Sequence, residues 1–302
     1  MGDAGAVAGL RDPRPLSCNR GVPAPRAPLR WGVKWFGVPT AALARRVLSA
    51  VIFIPTFLWL LYGAPAEFIS LFVLLLSAGA QREFTRMFER DGQGVYPRLG
   101  LLAGLGVTAS FLRAGGIPLV FTAVVIVVLS APLVGRRPPA WGPSALTLLG
   151  VFYVNWLLGY AIWLRGLPGG VEWIVFLLAV TWLGETAAYL VGSRVGRHAL
   201  APTISPAKTV EGAVAQLVVS VVAAGLCFRA LFPERSVLVG LAGGLLLGFV
   251  GQCGDLAESA LKRSAHTKDA GGLIPGHGGL LDRLDSLLFN TPALFYYARY
   301  IG

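Results

Sequence analysis

The apolar positions of this chain fall in long runs, and the polar positions collect between them. Read as helices, the runs predict spans over residues 47–64, 67–81, 99–113, 117–134, 145–164, 171–192, 210–231, 236–254 and 286–301. A helix needs about 20 apolar residues to cross the hydrocarbon layer, and a few of these runs are shorter than that. The pattern predicts an all-α polytopic integral membrane protein with about nine transmembrane helices. No repeat of 20–50 residues is visible, so the spans form one membrane-embedded unit over 41–302.

Composition agrees with that picture. Of 302 residues, 55% are hydrophobic and 14% charged, against about 25% charged in soluble domains. Residues 1–40 are rich in Pro, Gly, Ala and Arg and lack the continuous apolar stretch of a secretory signal. A disordered tail is the preferred reading there; a transit peptide or an upstream start codon are the alternatives. Three cysteines, Cys18, Cys227 and Cys253, are too scattered for a disulfide framework or a metal pair.

The net charge of +11 could suggest nucleic-acid binding. Its distribution argues against that, because the basic residues sit in the short connections between apolar runs. Lys34, Arg45 and Arg46 precede the first span, and Arg82, Arg86, Arg90 and Arg98 follow the second. Arg136 and Arg137 follow the fourth, and Arg194, Arg197 and Lys208 the sixth. Lys262, Arg263, Lys268 and Arg283 follow the eighth. With nine spans all of these share one side, and the positive-inside rule makes that side cytoplasmic. The protein is then expected to be multi-pass, in the inner membrane if bacterial, with its late polar loops facing the cytoplasm.

Those late loops hold the candidate chemistry. Only four of the 26 basic residues are lysines, and Lys208, Lys262 and Lys268 lie there. So do all three histidines, His198, His266 and His277, and four of the seven aspartates. Asp255, Glu258, Ser259 and Lys262 follow i, i+3, i+4, i+7 spacing and share one helix face. Asp282, Asp285 and Ser286 open the last span. Aspartates from two facing helices can hold a hard cation such as Mg²⁺ through oxygen, or can brace helix ends in ion pairs. Between them runs "DAGGLIPGHGG", with Gly271, Gly272, Gly276, Gly278 and Gly279. Its free N–H groups, leading into a helix, suit a phosphate, although an ordinary glycine-rich turn is also consistent. His277 lies inside it, whereas His198 and His266 read as surface residues. In the earlier loop Thr209 and Glu211 suit either a helix cap or substrate contact, and Lys208 suits a phosphate. No P-loop, HExxH or Ser-His-Asp order occurs, which leaves hydrolase and zinc readings little support.

The stretch "SALKRSAHTKDAGGLIPGHGGLLDRLD" (259–285) resembles, position by position, the signature of phosphatidate cytidylyltransferases, or CDP-diacylglycerol synthases. "SPAKTVEG" after "AYLVGSRVGRHALAP" is similar to a second stretch of that family, and "REFTRMFERDG" weakly so to a third. The likeness spans roughly residues 45–302 and is strongest after 180. It implies a polytopic helical enzyme, usually a homodimer, with its catalytic part over 180–290 and a cytoplasmic Gly-rich catalytic loop. Such an enzyme transfers CMP from CTP to phosphatidic acid, with Mg²⁺ and room for a second cation. By the same resemblance Asp255 and Asp282 are the metal aspartates, and Ser259 and Lys262 the signature serine and lysine. Glu185 stands where the family commonly has Asp.

The chemistry then expected is neutralisation and alignment of two polyanions within membrane lipid. Lys208, Lys262, Arg263 and Lys268 would counter phosphates, and His277, Gly278 and Gly279 would grip phosphate oxygens. Ser205 would join the substrate contacts. Asp285 and Asp269 would orient Arg283 and Lys268. Two rivals remain from sequence: a CTP-dependent lipid-alcohol kinase and a non-catalytic transporter.

Overall fold

The computed structural model describes residues 61–113, 115–134, 140–271 and 279–301. The expected tail over 1–40, nearly all of the first expected span, and His277 and Gly278 lie outside the described residues.

Helix α1 (Ala66–Arg90) runs well past its predicted end. The added turns carry Arg82, Glu83, Arg86 and Arg90, yet Phe84, Met87 and Phe88 recur at helical spacing and are buried. That apolar stripe, with Arg82, Arg86 and Arg90 exposed outside it, keeps the helix going. Helix α2 (Pro97–Ser110) starts on Pro97, whose missing N–H costs nothing in a first turn. Helix α3 (Ile117–Val134) has its predicted bounds. Next, α4 (Gly142–Gly150), a π-helical turn (Val151–Trp156) and α5 (Leu157–Arg165) form one rod. They are followed by α6 (Gly170–Val195), α7 (Val210–Leu231) and α8 (Val237–Ser264), then a short 3-10 turn (Leu281–Arg283) and α9 (Asp285–Ile301).

Each predicted run after residue 65 is a helix. Among the described residues six helices are long and apolar enough to cross a membrane: α1, α3, the α4–α5 rod, α6, α7 and α8. Helices α2 and α9, with 14 and 17 residues, fall short. At 1.5 Å per residue α2 reaches only about 21 Å.

The all-α expectation needs one correction. Strands β1 (Ala199–Ala201) and β2 (Ser205–Thr209) form an antiparallel hairpin, with Ala199 opposite Thr209 and Ala201 opposite Ser205. Pro202 and Pro206 cannot continue a helix, and an extended ribbon is what remains. The hairpin delivers Thr209 as the N-cap of α7, its Oγ1 accepting the Gly212 N–H at 3.1 Å. Glu211 accepts the Arg197 N–H at 3.0 Å and meets His198 Nδ1 at 2.6 Å. The geometry therefore makes Thr209 a cap and Glu211 a fastener of the preceding loop.

Helices α7 and α8 pack through small residues. A Cβ on Gly244 would lie 2.6 Å from the Ser220 carbonyl oxygen and 2.9 Å from Val221 Cα. In lipid such close contact supplies the association that hydrophobicity cannot. Asn155, in the π-helical turn, donates to Gln81 Oε1 at 2.8 Å and fastens the rod to α1. At one end of the bundle three polar connections converge. Gln93, between α1 and α2, donates to the Ser264 carbonyl at 2.9 Å, and Asp91 meets His266 Nδ1 at 2.9 Å. Arg263 Nε donates to Ile204 O of the hairpin at 3.2 Å.

Candidate active site

Helix α8 ends in the stripe that the spacing predicts, and Asp255, Ser259 and Lys262 each meet a partner from another element. Lys208, at the end of β2, places its Nζ 2.6 Å from Asp255 Oδ1 and donates to Ser259 Oγ at 3.4 Å. One turn on, Lys262 Nζ lies 2.7 Å from Asp282 Oδ1 and 3.3 Å from Glu258 Oε1. Glu258 is fully buried. Each ammonium is thus held by carboxylates at the inner end of the converging loops.

Asp282 does more than pair with Lys262. Its Oδ2 accepts the N–H groups of Gly279 at 2.9 Å and of Ala270 at 3.1 Å, so it joins the two ends of the glycine-rich loop. Burial disfavours its charge, but the Lys262 ammonium and the Gly279 N–H outweigh that and hold its carboxyl below the usual carboxylate range. From the other side Glu83 of α1, almost fully buried, accepts the Leu281 N–H at 2.8 Å.

Asp285 Oδ1 accepts the Ser286 N–H at 2.7 Å, and the charges of Asp255 and of Glu185 on α6 bear on it. Glu185, half-buried on α6, also lies within electrostatic reach of Lys208 and Arg283. Its extra methylene still leaves the carboxylate in this cluster. Among the described residues no three His, Cys, Asp or Glu side chains stand close enough to cage an ion by themselves. Mg²⁺ commonly takes one or two carboxylates and completes its shell with water and substrate phosphate. Asp255 and Asp285 are both hard oxygen donors of the kind that demand calls for, and Lys208 at 2.6 Å already balances Asp255. Asp255 and Asp282, the pair the resemblance implies, each make their close contacts with different groups.

The remaining candidates divide. Arg263, exposed, braces the hairpin and the loop, donating to Ile204 O and to Thr267 O at 3.2 Å. Lys268 and Asp269 are exposed at the start of the loop, and Ser205 is half-buried at the start of β2. Asp285 feels the charges of Asp255 and Glu185. Gly279 is buried against Glu83 and Gly271, where a Cβ would lie 2.7 Å from Glu83 Oε2 and 2.8 Å from the Gly271 nitrogen. Sequence reasoning missed Glu83, although an acid between Ala80 and Phe84 on an otherwise apolar helix face was a visible signal.

A family model described as the cytidylyltransferase family matches residues 44–301. The chain belongs to the cytidylyltransferase family. It is accordingly an enzyme, a nucleotidyltransferase, and its apolar helices mark it as a membrane protein. Among the relatives of this cytidylyltransferase is the phosphatidate cytidylyltransferase of Bacillus subtilis (strain 168), 32% identical over 262 residues. That match covers 84% of this chain and 97% of the relative. The phosphatidate cytidylyltransferase of Staphylococcus aureus (strain COL) is 37% identical over 174 residues, 57% of this chain and 65% of the relative. The uncharacterized protein YnbB of Escherichia coli (strain K12) is 38% identical over 213 residues, 65% of this chain and 69% of the relative.

Proposed function

We propose that this cytidylyltransferase moves CMP from CTP to phosphatidic acid, forming CDP-diacylglycerol and pyrophosphate. The observation that carries the reading is the meeting of Lys208 and Lys262 with Asp255 and Asp282 within the stretch that resembles the phosphatidate cytidylyltransferase signature. Names of relatives at 32% and 37% identity point the same way.

In the reaction a phosphatidate oxygen attacks the α-phosphorus of CTP. The new P–O bond forms as the bond from the α-phosphorus to the bridging oxygen breaks, and pyrophosphate leaves with that electron pair. The nucleophile is already anionic, so the site has charge to neutralise and groups to align rather than a strong base to supply. Lys208 and Lys262 are positioned for this, each held against a carboxylate. Asp255 and Asp282 would hold Mg²⁺, with Asp285 as a further carboxylate beside them, and the ion would neutralise charge on the CTP phosphates. Asp282 would turn to that ion only in exchange for its bonds to Lys262 and the loop. Its part in the resting site is to hold both of them.

The bundle is read as nine spans, with the converging loops and the Gly-rich catalytic loop on the cytoplasmic side, beside CTP. The acyl chains of the substrate stay among the helices, and the working assembly is a homodimer, as the resemblance implies. The test supplies detergent-purified full chain with phosphatidic acid, Mg²⁺ and CTP labelled at the α-phosphate. Label in a CDP-lipid with release of pyrophosphate supports the reading. A phosphorylated lipid with release of CDP, or no CTP consumption, refutes it.

A further inference from the structure

Loop residues Gly271 and Gly279 touch at the base of the glycine-rich stretch, and two carboxylates close that base from opposite sides. Asp282 is local, three residues from Gly279. Glu83 arrives from α1, nearly two hundred residues earlier, and is only 2% exposed. Its Oε2 accepts the Leu281 N–H at 2.8 Å. A Cβ built on Gly271 would collide with the Glu83 carboxyl, and one on Gly279 would lie 2.7 Å from Oε2 and 2.9 Å from Asp282 Oδ2. Gly79, one turn before Glu83, makes room for the Leu280 side chain, whose Cδ2 would lie 2.7 Å from a Cβ there. One face of α1 is therefore shaped to seat residues 279–281.

A carboxylate this deep is costly unless it is hydrogen-bonded, and an apolar residue of similar size would pack against Phe84 at less expense. The face that otherwise carries Ala80, Phe84 and Met87 thus tolerates an acid only where the loop base meets it.

We propose that Glu83 is a positioning residue for cytidylyl transfer. It holds the base of the glycine-rich loop so that Asp282, and through it Lys262, stands at the right depth for the nucleotide phosphates. The proposal rests on the reading of the site given above, but the clamp itself can be measured without it. Glu83 touches no reacting atom; its effect runs through Leu281, Gly279 and Asp282.

The experiment compares Glu83→Ala, Glu83→Gln and Gly271→Ala with the parent chain, all full length in detergent. Two quantities are read: kcat and KM for CTP, and amide hydrogen exchange across 279–282. Glu83→Ala should lower kcat/KM for CTP by about 100-fold, the cost of a small misplacement of reacting groups. It should also speed exchange at Leu281. Glu83→Gln, which keeps an acceptor oxygen, should fall between it and the parent. Gly271→Ala leaves Glu83 in place but pushes a methyl into its carboxyl, and should reproduce both effects. Parent-like kcat/KM in Glu83→Ala overturns the proposal. So does a loss of activity with unchanged exchange at 279–282, which would mean that the helix and not the loop had suffered. If the parent chain forms no CDP-lipid, the functional reading fails, and the exchange data alone then decide the clamp.

Discussion

Lys208 Nζ stands 2.6 Å from Asp255 Oδ1, joining the end of the β-hairpin to the start of the polar stripe on α8. The two residues are 47 positions apart, with the whole of α7 between them. The contact matters because it fixes an ammonium beside the acid best placed for a cation. Lys208→Met should lower kcat/KM by about 100-fold or more, on the scale of removing one preorganised charge from a transition state. Lys208→Arg should recover little, since the planar fork does not fit a point-charge site. Steady-state kinetics of CTP turnover on phosphatidic acid will show this.

Lys262 meets two carboxyl groups, Asp282 at 2.7 Å and the buried Glu258 at 3.3 Å, and a single ammonium can balance only one of them. Asp282→Asn weakens both the pairing and the loop support, and should abolish nearly all turnover while leaving the protein folded. Full activity in that variant would sink the proposed role. Glu258→Gln keeps the shape and replaces the buried carboxyl with a neutral amide. Its thermal midpoint should equal or exceed that of the parent, whereas Lys262→Met should lower stability by about 3–5 kcal/mol by stranding buried charge.

Arg263 donates to the hairpin at Ile204 O and to Thr267 O. If it acts by bracing, Arg263→Lys, which keeps the charge but loses the fork, should raise KM for CTP several-fold and leave the reaction products unchanged. A site that needs only the charge would tolerate the change, and the kinetics separate the two cases.

Gly244 packs against the α7 backbone at Ser220 and Val221. Gly244→Leu should separate α7 from α8 and destabilise the bundle by about 1–3 kcal/mol, the usual cost of overpacking. Thermal unfolding in detergent is the readout.

Asp91 and His266 close the connection between α1 and α2 onto the end of α8. His266 takes a left-handed backbone (φ 48°) there, a conformation uncommon outside glycine. Hydrogen bonding from Gln93, with the nearby His266, holds the Asp91 carboxyl below its ordinary value of 3.8. The folded value is the lower one, so the contact contributes stability above pH 3.8 and loses it as the pH falls through the folded value. Exchange of the 91–93 amides should therefore be steady from neutral pH down to about 4 once the intrinsic pH dependence is removed, and rise below that. Asp91→Asn should abolish the acid-side change.

The amino-acid order by itself determined the helices and the chemistry that they carry. Apolar runs long enough to bury a helix in lipid leave the backbone no better state, because every unpaired N–H there is costly. The bounds of α3 and α7 could therefore be read directly, as could the shared face of Asp255, Glu258, Ser259 and Lys262. The glycine-rich signature with its flanking charges was equally legible, since it is local. What periodicity could not reach was the choice of partners. That Lys208 meets Asp255, that Lys262 meets Asp282, and that Glu83 crosses from α1 to seat Leu281 depend on which helix faces which. The hairpin over 199–209 escaped for the same reason, its short strands paired only with each other between two helix ends. Spacing along one helix sets which side chains share a face. Only packing between helices sets what that face meets, because the distances that decide a hydrogen bond or an ion pair are set by elements far apart in the chain.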